Sequence, residues 1–76
     1  MSEQILNTTG LLCPLPVLKL RKYLKFMKIG DVVAILADDP AAAIDIPHFC
    51  NETGHTLISQ KATGSRETEY KVRKEI

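Results

Sequence analysis

Cys13 is the residue of this sequence best suited to chemistry, and its neighbours are what mark it. It stands in Gly10-Leu11-Leu12-Cys13-Pro14-Leu15-Pro16, directly ahead of a stretch rich in Lys and Arg. A helix that opens there leaves backbone N–H groups unpaired and carries a partial positive charge at its N-terminus, and both features favour a thiolate over a thiol. The thiolate is the nucleophilic form, so the position predicts a sulfur that reacts near neutral pH. Pro14 and Pro16 suit the same place, because proline lacks an N–H that the first helical turn cannot pair, and it stiffens the loop. Each also pushes its predecessor out of helical geometry, which leaves a helix start at Pro14 or at Pro16 open. The plainer alternative is that Cys13 is a small buried hydrophobe, as free cysteines commonly are.

The remaining candidates are weaker. Cys50 follows Phe49 on an apolar stripe with no basic cluster beside it, so a packing role is expected. A Cys13–Cys50 redox pair is a rival reading, but the two do not form a CxxC unit. His48, Cys50 and His55 match no familiar zinc spacing, and no metal or cofactor is expected. A Cys-His hydrolase would need a histidine and an orienting third group around Cys13, and neither histidine is near it in sequence.

The elements that must position Cys13 follow from periodicity. Gln4-Ile5-Leu6-Asn7 is a short strand ended by Thr8-Thr9-Gly10. Val17, Leu20, Leu24 and Met27 recur at helical spacing, with Gly30 as the stop signal. Val32-Val33-Ala34-Ile35-Leu36 is apolar throughout and β-branched, the pattern of a central strand paired on both sides. Asp38-Asp39-Pro40 reads as the cap and first turn of a second helix. Pro47 predicts a kink there, or two short helices with Asp45 as a second cap. Ile46, Phe49, Cys50 and Thr53 share one face, and Gly54 closes the segment. His55 to Thr63 and Glu67 to Lys74 are strands joined by Gly64-Ser65-Arg66, with Thr68, Tyr70 and Val72 facing inward. The order β-α-β-α-β-β makes a two-layer α+β sandwich, a four-stranded mixed sheet with two helices on one face.

Composition bounds the function. With 76 residues, residues 1–76 form a single domain, and so short a chain has little room for an enclosed cofactor pocket. The hydrophobic share of 45% with 25% charged residues excludes disorder. Two cysteines are too few for a disulfide-built secreted protein, which favours a reducing, cytoplasmic home. Val32 to Ala37 is too short a run to cross a bilayer, and Met1-Ser2-Glu3-Gln4 lacks the layout of a signal peptide. Charge is uneven: Met1 to Gly30 holds five basic residues against Glu3, while Asp31 to Gly54 holds five acidic residues and no Lys or Arg. With a net charge of only +1, this layout favours protein partners over direct nucleic-acid binding. The basic helix face is commonly just a solvated face, but beside a nucleophilic sulfur it would steer an acidic partner toward it, or equally tRNA phosphates.

Taken with its prolines, Cys13 makes the chain resemble the TusA-type (SirA-like) small sulfur-carrier proteins. The likeness spans nearly all of the sequence. It rests on the Cys13-Pro14-Leu15-Pro16 signature with Gly10-Leu11-Leu12 before it, and on Ala37-Asp38-Asp39-Pro40-Ala41 followed by Asp45-Ile46-Pro47-His48-Phe49-Cys50. One departure is Asn7, three residues before Gly10, where the family commonly has Asp. The resemblance implies the same two-layer fold and a cysteine that carries sulfur as a persulfide, received from a cysteine desulfurase or another sulfur donor and passed to an acceptor protein. In the family's best-known branch the relay ends in thiolation of the tRNA wobble uridine. Other branches serve sulfur oxidation, molybdenum-cofactor or selenium pathways. By position Cys13 is the carrier, Gly10, Pro14 and Pro16 shape its loop, and Arg21 and Lys22 are candidates for partner contact. A carrier wants no resolving thiol beside its sulfur, which suits a Cys13 with no second cysteine near it in sequence. A binding module with an incidental cysteine, and a thiol redox protein using Cys13 and Cys50, are the rival classes.

Overall fold

The apolar run Val32 to Ala37 becomes the centre of the sheet, and everything that positions Cys13 hangs from it. The computed structural model describes residues 3–76; Met1 and Ser2, part of the N-terminus read above as lacking a signal-peptide layout, lie outside the described residues. In chain order the elements are β1 (Glu3–Asn7), α1 (Leu15–Leu24), β2 (Val32–Ala37), α2 (Ala42–Thr53), β3 (Thr56–Ala62) and β4 (Thr68–Arg73). This is the expected β-α-β-α-β-β order. The sheet runs β1-β2-β4-β3, with β1 parallel to β2 and the other two pairings antiparallel.

Alternation decides the faces. Val33, Ile35 and Ala37 of β2 and Tyr70 and Val72 of β4 point at the helices, where they meet Leu20 and Leu24 of α1, Met27 beyond it, and Ala42, Ile46, Phe49 and Cys50 of α2. Burying each of the larger side chains contributes about 1.5–3 kcal/mol. On the opposite face Lys71 of β4 reaches across β2 to Glu3 at 3.2 Å, and Ile5 and Ile58 are exposed. β3 is an edge strand, and a register shift between Leu57 and Ser59 interrupts its ladder, a feature that discourages further pairing at an edge.

Three local expectations need correction. The first helix begins at Leu15 with Pro14 as its N-cap, and it ends at Leu24 instead of continuing to Gly30. Phe26 and Met27 follow in tighter turns, their N–H groups donating to the carbonyls of Tyr23 and Leu24, which still delivers Met27 to the core. Second, Asp38-Asp39-Pro40 precedes α2 without being its first turn: Ala41 is the N-cap, and Asp39 only accepts its N–H, at 3.2 Å. Third, Pro47 neither splits α2 nor makes Asp45 a cap, since one helix runs from Ala42 to Thr53. Pro47 removes a single bond near the helix start, and the carbonyl deprived of it belongs to Ala43, an exposed residue where water can serve. Gly54 ends α2 at φ +86°, as expected of a left-handed cap.

Candidate functional site

Parallel pairing of β1 with β2 brings their C-terminal ends to the same edge of the sheet, so the loop after β1 lies beside the loop after β2. Asn7 is opposite Leu36. The buried Thr8 then fastens the first loop, its N–H and hydroxyl both donating to the Leu36 carbonyl, at 2.8 and 2.6 Å. Asn7 organises the next turn, its side-chain oxygen accepting the Thr9 N–H at 2.9 Å and the Thr9 hydroxyl at 2.7 Å. An amide oxygen performs this task without a charge. Gly10 takes φ +84°, a conformation that suits glycine, and its N–H donates to the Asp38 carboxylate at 2.9 Å. The Cys13 N–H donates to Asp39 at 2.5 Å. Two carboxylates of the second loop thus hold the backbone of the first.

Cys13 itself is exposed, and the Cys13–Pro14 peptide bond is cis. Its thiol donates to Asp45 Oδ2 at 2.7 Å. The sequence predicts a thiol acidified by the helix N-terminus, whereas the thiol in the structure faces a carboxylate. The hydrogen bond to Asp45 raises the Cys13 pKa first, followed by desolvation and by the negative charges of Asp45 and Asp39. At the helix end Pro16 has no N–H, and that of Leu15 is taken by the Leu12 carbonyl at 2.8 Å. Cys50 is also a raised thiol, pushed up to about 11 by burial alone, and it lies in the core at 3% exposure.

A groove between the helices runs away from Cys13, lined by Val17 and Arg21 of α1 and by Asp45, His48, Phe49 and Glu52 of α2. Arg21 lies over the Phe49 ring, its guanidinium carbon 5.6 Å from the centroid, within cation–π range. Lys22 is placed on another side of α1, in a shallow depression with Leu6, Lys19, Tyr23 and Phe26. The two basic neighbours in sequence therefore do not form one patch. Pro14 borders the groove beside the sulfur, while Pro16, in the first turn of α1, is buried. His48 is exposed and faces Glu52 at 3.8 Å. His55 accepts the Glu75 N–H through Nδ1 at 3.1 Å.

Sequence reasoning missed the parts played by Asp38, Asp39 and Asp45, which it read as helix caps. A signal was present, since three carboxylates follow the central strand within eight residues. In a parallel β1-α1-β2 unit that stretch must pass the loop carrying Cys13.

Known proteins resemble this chain in sequence and in fold. The family described as sulfurtransferase TusA matches residues 4–74. The "Putative sulfur carrier protein NMA0882" of Neisseria meningitidis serogroup A and its serogroup B counterpart NMB0681 are each 47% identical to this chain over 58 residues, 76% of this chain and 78% of theirs. The crystal structure of a SirA-like protein from Desulfitobacterium hafniense superposes with a TM-score of 0.82, covering 96% of this chain and 99% of that one at 19% identity. At that identity it speaks for the fold.

Proposed function

Because this chain belongs to the TusA sulfurtransferase family, we propose that it carries sulfur as a persulfide on Cys13. The observation that supports this reading is the contrast between its two cysteines, one exposed on an anchored loop and the other closed into the core. The donor is a cysteine desulfurase or another sulfurtransferase. Its terminal sulfur bonds to Cys13 Sγ while its bond to the donor sulfur breaks, and the electron pair and the Cys13 proton go to that leaving sulfur. Hand-off to a thiol of the acceptor protein repeats the exchange in the other direction. No external oxidant is needed, and a buried Cys50 is poorly placed to resolve the persulfide into a disulfide.

Gly10, Pro14 and Pro16 shape the loop in this scheme, and Arg21, in the groove that begins at Cys13, meets the donor; Lys22 faces another side of α1. The relay works in the cytoplasm toward thiolation of the tRNA wobble uridine, without direct nucleic-acid binding by this chain. Among the described residues no helix is long and apolar enough to cross a membrane.

Incubation with a cysteine desulfurase and cysteine, followed by intact mass, tests the carrier. A gain of about 32 Da, one sulfur atom, that disappears in Cys13→Ser is the expected result. A loss of about 2 Da would mark a Cys13–Cys50 disulfide instead, and no change would favour a binding module. The end use is read separately, from the 2-thio content of tRNA in cells lacking the chain. Undiminished content would place the acceptor in another pathway.

A further inference from the structure

A carrier must release its sulfur as readily as it takes it, and the charges around Cys13 bear on that balance. The groups that face the sulfur are Asp39 from the loop after β2, whose carboxylate accepts the Cys13 N–H, and Asp45 from α2, which accepts the thiol. Further along the groove α2 adds His48 and Glu52, and α1 adds Arg21, whose guanidinium is engaged with the Phe49 ring. The two groups bonded to Cys13 are therefore both carboxylates.

We infer that Asp45 sets the direction of sulfur flow through Cys13, because it accepts a hydrogen bond from the empty thiol and repels the loaded, anionic persulfide. The inference rests on sulfur carriage by Cys13. Empty and loaded states differ in charge near neutral pH, since a persulfide is a stronger acid than its parent thiol. The empty carrier is a neutral donor to a carboxylate 2.7 Å away. The loaded carrier has no proton on Sγ to donate, because Sγ is bonded to the second sulfur, and it brings an anion to the same place. Hydrogen bonding and Coulomb repulsion thus act with one sign, against the loaded state. In hand-off, the acceptor thiolate attacks the outer sulfur and the S–S bond breaks. The electron pair stays on Cys13 Sγ, which regains a proton from solvent and with it the bond to Asp45. The upward shift of the thiol pKa is the same preference seen in the empty state. It also keeps the idle sulfur weakly nucleophilic toward oxidants and toward its own product.

Asp45→Asn tests this with the charge removed and the shape retained. Wild-type and variant proteins are equilibrated with glutathione persulfide and glutathione at pH 7.5, and the ratio of loaded to empty chain is read by intact mass. The variant should hold about tenfold more sulfur at equilibrium, and its Cys13 alkylation by iodoacetamide should have its midpoint at lower pH. Equal ratios and unchanged alkylation profiles overturn the role of Asp45 while leaving carriage standing. No loading in either protein overturns carriage itself, and the inference with it. Should the variant fail to fold, the wild-type alkylation profile is compared in native buffer and in urea. A native midpoint above the unfolded one is expected, and one at or below it overturns the inference.

Discussion

The two cysteines differ first in access. Both thiols are raised in pKa, yet Cys13 is exposed on its loop and Cys50 is packed among Phe49, Ile46 and the sheet. Iodoacetamide should therefore modify Cys13 and spare Cys50 in the folded protein, with the distinction lost in urea. Peptide mapping of the labelled chain checks it, and equal labelling in the native state would contradict the assignment. Cys50→Ala removes one buried sulfur and should cost about 1 kcal/mol in urea unfolding, with sulfur loading retained. The same residue gives the fold an alkaline limit. Its folded pKa of about 11 exceeds the ordinary value of 9.0, so between those values the unfolded chain has lost a proton that the native chain keeps. Stability from this group is complete below about pH 9 and falls as pH rises toward 11, by at most about 1.4 kcal/mol per unit. Cys50→Ala should flatten that decline, and parallel alkaline titrations of the two proteins would argue against burial as its source. At this scale the sequence singled out Cys13 from its prolines, and the structure sets it exposed on its loop. The carboxylate that faces this sulfur was not legible, because Asp45 stands 32 residues away in the chain.

At the scale of the element, α1 sorts its basic residues onto separate sides. Arg21 belongs to the groove that begins at Cys13, and Lys22 to the depression near Phe26. A donor that reaches the sulfur along the groove would meet Arg21, so Arg21→Glu should slow desulfurase-dependent loading far more than Lys22→Glu does. Loading by glutathione persulfide should be nearly unchanged in both, since neither residue bonds to the sulfur. The comparison of two loading rates in each variant is the check. Equal losses in both variants would return the basic residues to a single docking patch, and no loss in either would make them a solvated face. Raising salt from about 50 to about 500 mM shortens the reach of these charges and should slow protein-dependent loading alone. Helical periodicity revealed that α1 exists and which stripe it buries. Adjacency in sequence misled the reading of Arg21 and Lys22, since consecutive helical residues are turned by roughly 100° from one another.

The whole molecule is held by one layer of side chains between sheet and helices, with Leu20, Val33, Ile35, Ile46 and Val72 fully closed from solvent. Small domains have about 0.05–0.15 kcal/mol of stability per residue. Leu20→Ala, which should cost about 3 kcal/mol, therefore removes a large share of the total and should lower the thermal midpoint by more than 10 °C, roughly. Calorimetry decides, and a shift of only a few degrees would mean that α1 is loosely docked. The identities of the strands, the two helices, the buried stripe and the place of Cys13 just ahead of the first helix were determined by the sequence alone, because each depends on periodicity or on turn chemistry within a few neighbouring residues. Tertiary structure alone decided that Asp38, Asp39 and Asp45 gather around Cys13. That gathering requires β1 and β2 to pair in parallel, in a register that sets Asn7 against Leu36, so that both following loops leave the sheet at one edge. Only then do charges separated by 26 to 32 residues come within hydrogen-bond reach of Cys13.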